Sequence, residues 1–305
     1  MSDRILRIGT RGSKLAIWQT QQVESSLSEL GIAFQRVVLK SQGDLDQHTP
    51  LEQFGTPGVF TRKFDAQLLS GQIDMAVHSL KDYPAVVPAG IAIAAYLKRG
   101  NPLDTLVTRK PLGQLQSGRG YRIATSSSRR RTQWLHRFPN SKIEAIRGNV
   151  PTRLKKLEQS NWDGAIFARA GLERLGLYPK HTIDLEWMVP APGQAVVAVA
   201  CREDDQEVIR LLKKLNEPDT EFTSRVERHF MALLGGGCEA PIGGYLQIKG
   251  EQKVLFKGTV LDFEANNQIT GEYIEEKKNP EALAELFAER LIRKGVSEIL
   301  NLKKV

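Results

Sequence analysis

Strand-like and helix-like segments alternate through the first two hundred residues, and this alternation restricts the possible folds more than any other feature of the chain. Ser13 can cap a first helix, and Gly71 can end a second one. Between and around these helices the apolar pattern predicts three short strands, at 5–9, 34–39 and 73–78. Such a βαβαβ unit predicts α/β layers with mainly parallel sheets.

A second unit of the same kind begins after residue 102, and a different pattern follows it. Its predicted strands lie at 121–124, 143–146 and 165–168, with helices that begin near Arg129 and Pro151. An apolar run at 195–200 predicts one more buried strand. From Pro218 the pattern changes to a helix, three alternating strands and a last helix at 280–294, which is typical of an α+β domain.

A chain of 305 residues is too long for one ordinary core. We therefore predict three domains, and the order of the elements sets their bounds. They are α/β domain 1 at 1–98 plus 195–215, α/β domain 2 at 102–190, and α+β domain 3 at 218–305.

The net charge of +8 indicates an acidic partner, and the placement of the arginines narrows the choice. They lie singly or in short groups at predicted strand-to-helix turns, and no basic helix or basic stripe interleaved with aromatic residues stands out. This pattern favours a small molecule with several carboxylates or phosphates, held in a cleft, over nucleic acid or a membrane surface.

The segment after Met1 lacks the layout of a secretion signal, and no apolar run reaches the roughly 18 residues that span a bilayer. We therefore expect a cytoplasmic protein. The only cysteines are Cys201 and Cys238, which argues against a disulfide framework. Since neither cysteines nor histidines show ligand spacing, we expect no metal site.

Three predicted turns place anion-binding groups where strands give way to helices, the edge at which open α/β sheets bind ligands. Helix N-termini carry exposed N–H groups and partial positive charge, so guanidinium groups beside them favour carboxylates or phosphates. The groups concerned are Arg11 and Ser13 in the first turn, Ser127, Arg129 and Arg130 in the second, and Arg147 and Arg153 in the third.

The segment HSLKDYP differs from these basic turns, because Lys81 and Asp82 follow the carboxyl end of a predicted strand. A carboxylate at this place can stabilise a cation or move a proton. The alternative is a surface Lys-Asp turn of little energetic consequence. His78, just before it, is expected to pack or cap.

Cys238 lies in the segment LLGGGCEAPIGG, between a glycine triplet and a Pro-Ile-Gly-Gly turn. Glycines let the backbone approach a bulky group and adopt positive φ, which indicates a thiol presented from a loop and able to carry a covalent group. The alternative is that Cys238 is a small buried apolar residue, as free cysteines commonly are.

Seven motifs, in order and at matching spacing, resemble those of the porphobilinogen deaminase family, also called hydroxymethylbilane synthases. They are RIGTRGSKLAIWQT, GVF followed by HSLKDYP, ATSSSRRRTQW, IRGNVPTRLKKL, AGLERLGL, APGQA and GGGCEAPIGGY. The resemblance covers essentially the whole chain. It implies two periplasmic-binding-protein-like (type II) α/β domains plus a C-terminal α+β domain, and a monomer. It also implies that the crossovers near 97–103 and 190–195 form a hinge.

The family condenses four porphobilinogen molecules head-to-tail into 1-hydroxymethylbilane and releases ammonia, on a dipyrromethane primer joined to a cysteine by a thioether. By this resemblance Cys238 carries the primer, Cys201 has no such role, and Asp82 is the catalytic carboxylate that stabilises the developing cation. The resemblance also assigns the dipyrromethane to Asp44, Lys81, Ser127, Arg129, Arg130, Arg147 and Arg153, and the substrate to Arg11, Ser13, Arg174 and Gln194.

Arg129 and Arg130 are adjacent on one helix, so we expect them to face different carboxylates and to serve different pyrrole rings. The sequence departs from the family pattern at four places. Gln53 and Pro57 replace lysines near the second helix, Ala195 replaces a glycine near the hinge, and Arg131 is an extra arginine that we expect to face solvent.

Two other functions remain open on the sequence alone. A cleft-type binding protein would hold a small polyanion without catalysis, but it has no use for the presented Cys238. A basic nucleic-acid-binding protein would bind in a strongly salt-dependent way.

Overall fold

The computed structural model describes residues 4–39, 61–116, 118–237 and 240–300. The chain forms two compact units. The first comprises Met1–Gly100 and Ala195–Glu221, and the second comprises Asn101–Gln194 and Phe222–Val305. The chain therefore passes between the units after Gly100, Gln194 and Glu221.

The described part of the chain contains thirteen strands and nine α-helices. The strands are β1 Leu6–Arg11, β2 Phe34–Leu39, β3 Met75–Ser79, β4 Ile91–Tyr96, β5 Asp104–Thr108, β6 Arg122–Ala124, β7 Lys142–Glu144, β8 Gly164–Ala168, β9 Thr182–Asp184, β10 Val197–Arg202, β11 Ile242–Lys249, β12 Lys253–Leu261 and β13 Gln268–Glu276. The helices are α1 Lys14–Glu29, α2 Arg62–Leu69, α3 Ser128–Arg137, α4 Val150–Gln159, α5 Arg169–Glu173, α6 Gln206–Leu212, α7 Pro218–Leu233, α8 Pro280–Ile292 and α9 Val296–Ile299. A 3₁₀ turn, Leu80–Asp82, follows β3.

The first unit is built on a five-stranded sheet of order β2-β1-β3-β10-β4. Helix α1 begins as predicted, because the Ser13 side chain accepts a hydrogen bond from the Ala16 N–H at 3.2 Å. Val23 and Leu27, both fully buried, place one face of this helix against the core that also holds β1 and β3. Just past the helix Gly31 adopts φ +68°, which glycine tolerates without steric cost.

The second unit contains a sheet with the same plan, of order β7-β6-β8-β5-β9. In both sheets the first three strands are parallel, the fourth strand (β10 or β5) runs antiparallel to both of its neighbours, and the edge strand is parallel to the first three. Four of the five strands in each sheet run in the same direction, in agreement with the prediction of mainly parallel sheets, but the inserted fourth strand makes two of the four pairings antiparallel and the sheet mixed. A doubly buried strand has the same apolar composition in either direction, so the sequence did not reveal its direction.

A three-stranded antiparallel sheet, β11-β12-β13, forms the rest of the second unit. Phe230 of α7, Phe256 of β12 and Phe287 of α8 meet in its core, and the last two rings stack at 4.3 Å. This core is separate from the clusters under the five-stranded sheets. The predicted fold class is confirmed in its architecture, two α/β sheets of the same plan plus a C-terminal α+β part.

Two glycines before Cys238 have structural reasons to be glycine. Gly235 adopts φ +64° directly after α7. A Cβ on Gly236 would lie 2.5 Å from Ile242 Cδ1 and 3.1 Å from the Met231 carbonyl oxygen. The glycine triplet therefore ends a helix and permits close packing, in addition to any role in presenting the thiol.

None of the helices in the described part of the chain is both long and apolar enough to cross a membrane.

Candidate functional site

In the first unit, the predicted substrate residues lie at the carboxyl edge of the sheet. Strands β1 and β3 are parallel neighbours, so the end of β1 at Arg11 and the turn after β3 lie at the same edge. A cavity of about 100 Å³ opens there, and Arg11, Ser13, His78, Ser79 and Asp82 are among the residues that line it. We refer to it as the Asp82 cavity.

Asp82 is the last residue of the 3₁₀ turn and is exposed, which makes its carboxylate accessible to a ligand. Lys81 lies in the same turn but is not among the described residues that line the Asp82 cavity. Gln19 of α1 donates a hydrogen bond to the Ser79 hydroxyl at 2.7 Å and also lines the cavity. The structure therefore brings three predicted residues, Arg11, Ser13 and Asp82, to one cavity in the first unit.

His78 packs, as predicted, although it also contributes to the cavity wall. Its ring lies 5.3 Å from that of Phe64 and 5.0 Å from that of Tyr83. The Nε2 atom is buried and has no hydrogen-bond partner among the described residues. Burial, assisted by the charge of Arg11, lowers the pKa of His78 to about 3, so the imidazole is neutral at physiological pH.

In the second unit, three neighbouring parallel strands bring the arginine-bearing turns to one edge of the sheet. Strand β6 pairs in parallel with β7 and with β8, so the segments that follow these three strands begin at the same edge. The predicted site residues on these segments are Ser127, Arg129 and Arg130 after β6, Arg147 and Arg153 after β7, and Arg174 after β8.

Ser127 is the N-cap of α3, where its hydroxyl accepts from the Arg130 N–H at 3.5 Å. Arg153, in the first turns of α4, donates from Nε to the Gly148 carbonyl at 2.7 Å. Gly148 adopts φ +112°, a conformation that favours glycine and shapes the turn between Arg147 and α4. Arg147 and Arg153 are both half-buried.

Arg129 and Arg130 converge on a single buried carboxylate, that of Asp104 at the start of β5. Arg129 Nη1 lies 2.7 Å from Asp104 Oδ2, and Arg130 Nη2 lies 2.8 Å from Asp104 Oδ1. The expectation that the two arginines cannot face one carboxylate is therefore wrong. Each guanidinium group takes a different oxygen, and long side chains bridge the angular separation of adjacent helix residues.

Gln194 joins the same group and is buried. Its Nε2 donates to Asp104 Oδ1 at 3.1 Å and to the Pro102 carbonyl at 2.7 Å, while its Oε1 lies 3.5 Å from Arg129 Nη2. We call Asp104, Arg129, Arg130 and Gln194 the Asp104 cluster. The amide predicted to bind substrate makes these bonds within the protein.

Two further arginines of the second unit differ in their surroundings. Burial lowers the pKa of Arg174, the C-cap of α5, to about 10, so it remains charged at neutral pH. Arg131 donates from Nη1 to the Phe263 carbonyl in the β12–β13 turn at 2.5 Å. Arg131 is half-buried and this bond is exposed, so the side chain lies at the surface but is held there by the β12–β13 turn.

Four of the residues considered in the sequence lie outside the described part of the chain. They are Asp44, Gln53, Pro57 and Cys238.

Comparison with known proteins decides the family. The family model described as "Porphobilinogen deaminase, dipyromethane cofactor binding domain" matches residues 6–210, and "Porphobilinogen deaminase, C-terminal domain" matches residues 222–293. The chain belongs to the porphobilinogen deaminase family.

Relatives at full length agree with this assignment. The chain is 36% identical to the porphobilinogen deaminase of Syntrophotalea carbinolica over 98% of this chain and 96% of the relative. It is 39% identical to that of Carboxydothermus hydrogenoformans over 96% of both. Among solved structures it resembles an ancestral cationic amino acid solute binding protein, with 11% identity, a TM-score of 0.44, and coverage of 69% of this chain and 87% of the other.

Membership of the porphobilinogen deaminase family confirms the predicted function, a hydroxymethylbilane synthase of tetrapyrrole biosynthesis with a dipyrromethane cofactor. The alternative of a polyanion-binding protein without catalysis is not favoured. The donor set of the second unit fits this cofactor, because guanidinium groups at one sheet edge suit a ligand with carboxylate arms.

Sequence reasoning missed Asp104, the residue on which the predicted cofactor arginines converge. One signal was available, since Asp104 begins a strand, DTLVT, in which every residue is buried. A carboxylate at such a position needs a cationic partner. The sequence did not indicate which arginines would supply it.

Proposed function

We propose that Asp82 is the carboxylate that stabilises positive charge as porphobilinogen loses ammonia. The observation that carries this proposal is the Asp82 cavity, which joins an exposed carboxylate to Arg11 and Ser13 at one sheet edge. The guanidinium group of Arg11 suits an acidic arm of the substrate, while Asp82 suits the cationic end. The Asp82 cavity therefore offers a positive and a negative group to a pyrrole that has acidic arms and develops positive charge.

Four arginines of the second unit, Arg129, Arg130, Arg147 and Arg153, are proposed to bind acidic arms of the cofactor, with Ser127 and Lys81 assisting. Asp44 is proposed to lie near the cofactor, and Arg174 and Gln194 are proposed to contact the substrate. Support comes from the common sheet edge on which the arginines lie and from the burial of Arg129 and Arg130. A charge-assisted bond in such surroundings is stronger than one in water.

Cys238 is proposed to carry the dipyrromethane through a thioether, and Cys201 to be inert. When bound, the dipyrromethane supplies the primer to which the pyrrole units are joined. Cys201 is fully buried in β10, and burial raises the pKa of its thiol to about 11. Its poor ionisation supports Cys238 as the attachment residue.

We further propose the three domains 1–98 plus 195–215, 102–190 and 218–305, and a cytoplasmic monomer. The separate core of the C-terminal sheet supports the third domain. A cysteine count of two, with Cys201 free, supports a reducing compartment.

Two measurements test the proposal. Intact mass should show one two-pyrrole adduct on the parent chain and on Cys201→Ser, and none on Cys238→Ser. Asp82→Asn should lose at least about 10²-fold in turnover, because a neutral amide cannot balance a developing cation.

The matched control is Asp204→Asn, which removes a highly exposed carboxylate of the same unit that is not among the described residues lining the Asp82 cavity. Its turnover should match that of the parent. Near-parental turnover of a folded Asp82→Asn chain would reduce Asp82 to a turn residue.

A further inference from the structure

The Asp104 cluster contains a fully buried carboxylate that the family assignment leaves without a role in the reaction. Asp104 is 0% exposed, and the side chains of Arg129 and Arg130 are 5% and 7% exposed. All three residues belong to the second unit. There β5 runs antiparallel between β8 and β9, so it begins at the sheet edge where β6 ends and α3 follows.

The geometry of the cluster separates the two guanidinium groups. Arg129 meets Asp104 end-on, through Nη1 at 2.7 Å from Oδ2, whereas Arg130 meets it side-on, through Nε at 2.9 Å and Nη2 at 2.8 Å from Oδ1. Each group is held a second time by a backbone carbonyl, that of Val189 for Arg129 at 2.8 Å and that of Ile166 for Arg130 at 3.1 Å. Both planes are thereby fixed.

The carboxylate is itself fixed by the protein. Gln194 Nε2 donates to Asp104 Oδ1, and the same amide group is tied to the Pro102 carbonyl. Gln194 and the segment before β5 therefore orient Asp104, and Asp104 orients the two arginines. Guanidinium groups held in fixed planes are preorganised to bind carboxylates.

We propose that Asp104 is a positioning residue of the cofactor site, which holds Arg129 and Arg130 apart and in fixed planes so that both bind acidic arms of the dipyrromethane. Gln194 supports it. This inference rests on the proposed function of the two arginines, and it assigns Asp104 no contact with the cofactor or the substrate.

The first unit provides a matched control for a purely structural role. Asp74 is also 0% exposed and pairs with three arginines, Arg4 at 2.5 Å, Arg7 at 2.9 Å and Arg202 at 3.7 Å. None of these arginines is among the predicted site residues. Removing Asp104 leaves two buried cations without this partner, and removing Asp74 takes a buried carboxylate from three partly exposed arginines. Both changes should lower stability, but only the loss of Asp104 should affect the cofactor.

The experiment compares the full-length parent chain with Asp104→Asn, Asp104→Glu and Asp74→Asn. Intact mass measures the fraction of purified chain that carries the dipyrromethane on Cys238, and thermal unfolding measures stability. We expect the loaded fraction to fall at least about tenfold in Asp104→Asn, and to stay at the parental value in Asp74→Asn at a comparable loss of stability.

The variant Asp104→Glu distinguishes the effect of the carboxylate's position from the effect of its charge. It remains informative if Asp104→Asn does not fold. It keeps the negative charge but moves the carboxylate by one methylene group, so a positioning role predicts a reduced loaded fraction here too. A parental loaded fraction in Asp104→Glu, or an equal loss in Asp104→Asn and Asp74→Asn, would overturn the proposal. An increased fraction in Asp104→Asn would mean that the carboxylate competes with the cofactor, and would overturn it as well.

Failure of the underlying function gives a different result. A parent chain without an adduct on Cys238 would contradict the proposed attachment. Parental loading in both Arg129→Gln and Arg130→Gln would contradict the assignment of the arginines. The positioning role alone fails if these arginine variants lose cofactor while both Asp104 variants keep it.

Discussion

The buried imidazole of His78 makes the stability of the first unit depend on pH between about 3 and 6.5. Its pKa is lowered from 6.5 to about 3 in the folded chain. Between these values the unfolded state binds a proton that the folded state does not, so the free energy of unfolding falls as the pH falls below about 6.5. The contribution is complete above 6.5 and is lost progressively towards pH 3.

The expected size follows from the shift. At pH 5 the unfolded imidazole is almost fully protonated while the folded one is neutral, and the linkage relation gives a loss of about 2 kcal/mol relative to pH 7. Replacing His78 with phenylalanine removes the titration and keeps an aromatic ring beside Phe64 and Tyr83.

The assay is urea unfolding followed by circular dichroism at pH 7 and pH 5, at constant ionic strength. His78→Phe should show a pH-dependent loss smaller by about 2 kcal/mol than the parent chain. The control His181→Gln removes a half-buried histidine of the second unit and should keep the parental pH dependence. If His78→Phe and the parent lose the same free energy between pH 7 and pH 5, the burial argument is refuted.

Two further predictions concern departures from the family pattern. Ala195 adopts φ +66°, so Ala195→Gly should relieve backbone strain and raise the free energy of unfolding by up to about 1 kcal/mol. The control Ala66→Gly, within α2, should lower the free energy of unfolding by about the same amount. Equal losses of stability in the two variants, measured by urea unfolding, would contradict this explanation. Arg131→Ala removes the bond to the Phe263 carbonyl and should lower the free energy of unfolding by about 1 kcal/mol. It should not change the fraction of chain that carries the dipyrromethane on Cys238. A loss of cofactor would instead place Arg131 in the binding site.

Local sequence predicted most of the elements of the α/β units and the sheet edges at which the candidate site residues lie. The apolar periodicity predicted β2 at its observed bounds, and Ser13 and Ser127 cap helices at the predicted turns. Capping depends on a residue and its next three neighbours, so it can be predicted from a short stretch of sequence. The turns that follow parallel strands could also be predicted as a binding edge, because their position depends on the order of strands and helices along the chain.

Tertiary structure decided the strand directions and the partners of the buried charges. Strands β5 and β10 are apolar on both faces, and nothing in such a run specifies whether it pairs in parallel or antiparallel. The crossovers of the chain determine their direction. The mixed character of both sheets therefore required the structure.

Within the candidate site, too, the sequence predicted some features and the tertiary structure decided others. Arg129 and Arg130 could be selected from the sequence, because basic residues at a helix start indicate an anion. Their shared partner Asp104 is 25 and 26 positions away in the chain and reaches them only because β5 inserts into the sheet between β8 and β9. Likewise, the lowered pKa of His78 depends on the rings of Phe64 and Tyr83, which the fold packs around it. Burial and pairing of charges depend on contacts between distant segments, and that is why the sequence alone predicted candidate site residues but not the electrostatic interactions among them.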